Sequence, residues 1–141
     1  MRLKIQLFNN WSPRADLPGS AAFSRQGSTG AFQVSWAEHR ADKPLRPLDN
    51  DGVREFAVNY GKDFGELVDS SGGACGFGVF GTAVFRSESY PRTQIWILTN
   101  GRDHILATHI CNEVPAPGEI AEVEQIASSL ALGPEQPAKA V

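Results

Sequence analysis

Leu3, Ile5 and Leu7 alternate with Arg2, Lys4 and Gln6, the two-residue period of a half-buried strand. From Asn9 to Gly30 no period holds; Pro13, Pro18, Gly19, Gly27 and Gly30 sit among small polar residues, which predicts a loop. Trp11, Leu17 and Phe23 punctuate that stretch, and apolar groups of this size in a polar loop predict that it packs back on the body. Alternation returns with Phe32, Val34 and Trp36 on one side of a second strand and Ala31, Gln33 and Ser35 on the other. Arg40 to Asp51 carries Pro44 and Pro47 and ends in Asp49-Asn50-Asp51, a connection closing on a helix N-cap.

The period then changes. Val53, Phe56, Ala57, Tyr60, Phe64, Leu67 and Val68 fall on one stripe at helical spacing, weakened by Gly61 and Gly65 and ended by Ser70-Ser71-Gly72-Gly73. Residues 77–86 are expected as a long strand, with Phe77, Val79, Ala83 and Phe85 on one face and Phe80 and Val84 on the other. Apolar groups on both faces predict a central strand covered on each side. Asn100-Gly101 between Gln94–Thr99 and Arg102–Cys111 is a strong hairpin signal. A two-residue turn pairs Thr99 with Arg102, Ile97 with His104 and Ile95 with Leu106. One face then carries Ile95, Ile97, His104, Leu106, Thr108 and Ile110; the other carries Trp96, Leu98, Ile105, Ala107, His109 and Cys111. A four-residue turn keeps both sets. After Pro115 and Pro117, a last helix is expected on Ile120, Val123, Ile126, Ala127 and Leu130, stopped by Gly133-Pro134. The expectation is one α+β domain over residues 1–132. It is an antiparallel sheet with helices over its faces and a C-terminal helix after a hairpin; residues 133–141 are expected as a flexible tail.

Composition narrows the function classes. The chain has 141 residues, 41% hydrophobic and 21% charged, which suits a single globular domain. Thirteen Lys+Arg against 16 Asp+Glu leave a net charge of −3, which speaks against a nucleic-acid partner. No apolar run is long enough for membrane insertion, and two cysteines make no disulfide scaffold. Met1-Arg2-Leu3-Lys4-Ile5 does not open a signal peptide, so a cytoplasmic location is expected. The net charge hides an asymmetry, +3 over residues 1–62 and −6 over residues 63–141. Trp11, Arg14, Phe23 and Arg25 lie on the basic half, and aromatic and arginine side chains are the favoured anchors of protein interfaces. They are the candidate partner-binding residues.

Chemical motifs are sparse. Gly76-Phe77-Gly78-Val79-Phe80-Gly81 satisfies G-x-G-x-x-G, but it runs into a strand rather than opening a helix. These glycines are expected to mark a bulge, a sharp twist or close packing beneath a helix, so no cofactor is expected. His109 and Cys111 share a strand face two residues apart, an alternative site for an enzyme or ligand-binding protein. Zinc would want further ligands, His104 falls on the opposite face, and buried core groups are the simpler reading. Glu119, Glu122 and Glu124 fit a solvated helix face and dipole complement. No catalytic or metal-binding residue is assigned.

The element order, the loop with Trp11, the hairpin turning at Asn100-Gly101 and the closing segment Glu122-Val123-Glu124-Gln125-Ile126-Ala127-Ser128-Ser129-Leu130 together resemble the PsbP/DcrB-like α/β/α sandwich. That resemblance implies a mostly non-enzymatic binding module: an assembly factor, a small-GTPase-associated protein, or a chaperone of type VI secretion effectors. For a short cytosolic bacterial protein of this layout, an immunity protein is a further expectation. A protein partner is therefore expected, as a chaperone, adaptor or immunity protein. A homodimer through a strand edge at residues 31–37 is a third arrangement.

Overall fold

The computed structural model describes residues 2–8, 10–37 and 49–133. In chain order the elements are β1 (Arg2–Lys4), β2 (Ser12–Leu17), β3 (Ser20–Ser24), β4 (Phe32–Ala37), α1 (Asn50–Gly61), β5 (Glu66–Ala74), β6 (Val79–Arg86), β7 (Arg92–Thr99), β8 (His104–Cys111), α2 (Pro117–Ser128) and β9 (Ala131–Gly133). Seven strands form one antiparallel sheet in the order β2-β3-β4-β8-β7-β6-β5. β1 and β9 pair separately, Arg2 with Gly133 and Lys4 with Ala131. The fold is α+β, a large antiparallel sheet with a C-terminal helix after a hairpin. The last helix ends at Ser128 rather than at Gly133-Pro134, and Gly133, expected in the tail, is buried in β9; residues 134–141 of that expected tail lie outside the described set.

The β7–β8 hairpin turns over four residues, so Thr99 pairs with His104, Ile97 with Leu106 and Ile95 with Thr108. The two-residue register is corrected, and both face sets stand. Asn100 makes the longer turn: its side-chain oxygen accepts from the backbone N–H of Arg102 and of Asp103, and Gly101 takes φ +89°.

Three other expectations change. Residues 12–24 form a hairpin rather than a loop, turning at Pro18-Gly19 with Gly19 at φ +79°. Its register slips between Pro13 and Ala15, which breaks the alternation that would have revealed it. The first helix stops at Gly61, and residues 66–74 continue as β5. Leu67 and Val68 are thus exposed strand residues, not part of a buried stripe. Ser70 to Gly73, read as a terminator, pairs with β6. Finally, β4 is bonded to β3 on one side and β8 on the other, so residues 31–37 offer no free edge; the sheet edges are β2 and β5.

The two helices lie on opposite faces and on opposite halves of the sheet. α1 seats Val53 and Ala57 on Ala83, Phe85, Ile95 and Ile97 of β6 and β7. α2 seats Val123, Ile126 and Ala127, and the link to β9 seats Leu130, on the face built by Phe32, Val34, Trp96, Leu98 and Ile105. Cover on both faces holds, but it is diagonal, and among the described residues each face keeps one half without a helix over it.

Two of the three glycines of the false dinucleotide motif, Gly78 and Gly81, sit at close backbone approaches. A Cβ on Gly81 would lie 2.3 Å from the Val53 carbonyl oxygen, so Gly81 is where α1 rests on the sheet. Gly78 takes φ +158° with its Cβ position 2.2 Å from the Thr99 carbonyl. Gly81→Ala is expected to push α1 off β6, lowering stability by about 1–3 kcal/mol. Gly76→Ala, where a Cβ meets open space, is expected to change it by less than about 0.5 kcal/mol. Urea unfolding midpoints of the two variants check the contrast.

Candidate functional site

His109 and Cys111 alternate inward from β8 onto the face that α2 covers, and both are fully buried. What meets them is Glu119. It stands at the third residue of α2, four before Val123 and eight before Ala127, so it lies on the apolar stripe and points into the core, 1% exposed. Its carboxylate accepts from His109 Nε2 at 2.7 Å, from the Thr29 hydroxyl at 3.0 Å and from the Thr29 backbone N–H at 2.9 and 3.1 Å. A buried carboxylate survives only with its lone pairs occupied, and here donors meet both oxygens. The positive end of the α2 dipole adds to this.

One turn on, Glu122 accepts from the Trp11 indole N–H and, at 2.7 Å, from Arg25. The Arg25 guanidinium lies 5.8 Å over the Trp11 ring, and that ring meets His109 edge-on at 6.3 Å. The expectation of a solvated acidic face is therefore corrected for Glu119 and Glu122: the first is buried and the second half-buried, while Glu124 is exposed. Their signal in the sequence was position, since Glu119 shares the stripe of Val123 and Ala127.

The candidate interface residues separate. Trp11 and Phe23 are core, each 4% exposed. Arg25 is half-buried and paired, and Arg14 is exposed with its Nε on the Ser24 hydroxyl at 2.6 Å. The four do not form one exposed surface.

Proton chemistry at His109 and Cys111 is restrained by geometry. The Cys111 sulfur lies 3.5 Å from both ring nitrogens of His109. Any in-plane position equidistant from them at that range would collide with the ring carbons, so the sulfur rests over the ring face. Neither nitrogen lone pair points at it, and no thiol–imidazole proton transfer is set up. Burial lowers the His109 pKa, opposed by the hydrogen bond and charge of Glu119 and assisted by the positive charge of Arg92. Burial likewise raises the Cys111 pKa, with the Glu119 charge adding and Thr29 and Arg92 opposing. Burial thus favours the neutral imidazole and the neutral thiol.

His109, Cys111 and Glu119 also present three ligand types that zinc accepts, within 4.8 Å of one another. The fit fails. Tetrahedral zinc holds nitrogen and oxygen ligands about 3.4 Å apart, whereas His109 and Glu119 are in hydrogen-bond contact. The carboxylate is already saturated, and the sulfur is off the imidazole plane. The arrangement fastens α2, β8 and the β3–β4 connection together.

An accessible concavity exists elsewhere on the same face. Where α2 stops covering the sheet, a groove of two joined lobes, about 390 and 210 Å³, runs between α2 and β5. Ser71, Thr82, Gln94 and Glu124 line both lobes.

No protein-family model matches this chain, and no curated protein does. Among solved structures it is similar to a crystal structure from Bacteroides thetaiotaomicron VPI-5482, with a TM-score of 0.55 at 16% identity over 94% of this chain. The match covers 46% of that protein, so this chain spans about half its length. The likeness is one of fold.

Two outcomes follow. His109 enters the fold neutral while the unfolded chain takes up a proton below about pH 6.5. Its contribution is complete above that pH and is lost as pH falls toward its lowered folded value. The urea midpoint should fall between pH 7 and 5, and His109→Gln should flatten that slope; an equal slope would show that His109 takes up its proton alike in the folded and unfolded chain, and a steeper one that it is charged in the fold. Second, a colourless thiol reagent followed by mass spectrometry should modify half-exposed Cys75 in the native chain and buried Cys111 only after unfolding.

Proposed function

We propose that this chain is a non-catalytic, protein-binding domain of the cytoplasm, of chaperone, adaptor or immunity type. The observation that carries it is the half-face left open beside α1. There Leu17, 63% exposed, and Ala15 and Ala22 of the β2–β3 hairpin continue onto Leu106, Thr108 and Ile110 of β8. Tyr60 and Phe64 wall the other side. Phe56, one turn before Tyr60 on the same flank of α1, is 54% exposed. A concave, uncharged sheet surface rimmed by aromatic side chains suits a protein partner presenting apolar side chains. The resemblance to PsbP/DcrB-like sandwiches belongs to this proposal, since their members mostly bind proteins. No helix among the described residues is long and apolar enough to cross a membrane.

The enzyme reading on His109 and Cys111 receives no support from a fully buried pair already bound to its neighbours. The binding reading is tested by affinity capture from native cells with the wild type and with Leu17→Glu/Tyr60→Ala. Both replaced side chains are exposed, so the variant should fold with an unchanged melting temperature and retain at least tenfold less of the captured protein. Equal retention by both forms would overturn the assignment of this face.

A further inference from the structure

The groove on the opposite face has a chemistry of its own, independent of the docking surface. Its floor is a directional hydrogen-bond chain. The Ile95 carbonyl can only accept, so the Thr82 hydroxyl donates to it, at 2.7 Å. Thr82 oxygen therefore accepts from the Gln94 amide nitrogen at 3.0 Å. At the far end Arg92 can only donate, and it meets the Gln94 carbonyl oxygen at 2.8 Å. Both ends force the same direction. The Gln94 carbonyl oxygen is turned to Arg92, and the N–H groups left over at the floor are the second amide hydrogen of Gln94 and the remaining guanidinium hydrogens of Arg92. The Arg92 Nε–H is sealed from solvent with no acceptor, one of two such side-chain atoms among the described residues. The floor is thus a donor array carrying a positive charge.

The rims carry the opposite sign. Glu124 of α2 and Asp69 of β5, both exposed, line the small lobe that holds Arg92. The large lobe is different again, walled by Phe80, Trp96, Leu98, Ala74 and Ala127, with Cys75 at its border. Arg92, Gln94, Trp96 and Leu98 point the same way from β7, so the groove passes from charged to apolar over about 20 Å of strand.

We propose that this groove binds a free α-amino acid with a bulky apolar side chain. Its carboxylate meets the N–H groups of Arg92 and Gln94, its ammonium meets Glu124 and Asp69, and its side chain packs on Trp96, the next residue of β7 on that face, at the near end of the apolar lobe. A fatty acid matches the apolar lobe but sets its lone negative charge between two carboxylates. A peptide end carries one of the two charges but not both.

Isothermal titration calorimetry of the intact chain with single L-amino acids tests this. Saturable one-to-one binding is expected for phenylalanine or leucine, and binding at least tenfold weaker for lysine and glutamate. N-acetyl-phenylalanine and phenylalanine amide, each lacking one charge, should also bind at least tenfold more weakly. Glu124→Gln, on an exposed side chain, should weaken phenylalanine at least tenfold, as should Arg92→Met, with partial recovery in Arg92→Lys. Ser71→Trp, filling the groove from its exposed rim, should abolish binding while the urea midpoint is kept. Absence of saturable binding by any apolar amino acid would overturn the proposal. So would equal affinity for the acetylated or amidated form, or binding unaffected by Ser71→Trp.

Discussion

A carboxylate can enter a protein core only if the groups around it replace every hydrogen bond that water supplied. Glu119 does so at the first turn of α2, and the donors that receive it come from two distant parts of the chain, Thr29 between β3 and β4 and His109 on β8. The consequence is geometric: a shift of α2 by one residue would strand the carboxylate and its three donor groups without partners, so the cluster favours one axial register. Glu122 extends the same fastening to Trp11 and Arg25. Apolar burial by Val123, Ile126 and Leu130 supplies the attraction between α2 and the sheet, but it does not by itself choose where along β8 the helix lies. The polar cluster does.

α1 is placed by a different device. Its face is poor in large side chains, with Val53, Ala57 and Gly61 the buried positions. Contact with the sheet therefore comes from close approach, made possible by Gly81 beneath Val53 and by Gly61 against Phe85 and Ile95. One helix is held by polar registration, the other by the absence of side chains. Neither covers its whole face, and among the described residues their diagonal cover leaves one half of each face without a helix, where the two concave surfaces lie.

Where a period was intact the sequence was informative. β4, β6 and the β7–β8 hairpin alternate cleanly, and their faces follow from that alternation even though the turn is two residues longer than Asn-Gly suggested. The β2–β3 hairpin and β5 were hidden for physical reasons. A register shift breaks each ladder, between Pro13 and Ala15 and between Leu67 and Asp69, and Ser, Gly and Ala fill many of the remaining positions. Such strands are held by their neighbours' ladders more than by their own side chains. Leu67 and Val68 imitated a helical continuation because two apolar residues after Phe64 satisfy a helical spacing as well as a strand. The candidate site was legible in half: His109 and Cys111 follow from strand parity, whereas Thr29 and Glu119 depend on which loop and which helix close over them. Only Glu119, an acid among apolar stripe positions, left a mark in the sequence.

The buried cluster and the open groove are linked through α2. Glu119 and Glu122 set the register of the helix, and the next residues on it, Glu124, Ala127 and Ser128, form one wall of the groove. A binding site built between a helix and a sheet keeps its width only if the helix cannot slide, and apolar contacts alone allow sliding at little cost. The polar cluster is therefore placed where it serves a site it does not touch. Its Glu119–His109 part is buried under the first turn of α2, with Glu122 and Arg25 half-buried at the edge, and together they hold the later turns at a fixed distance from Thr82 and Gln94. On that argument His109 and Cys111 matter to binding through the position of α2 rather than through their own reactivity.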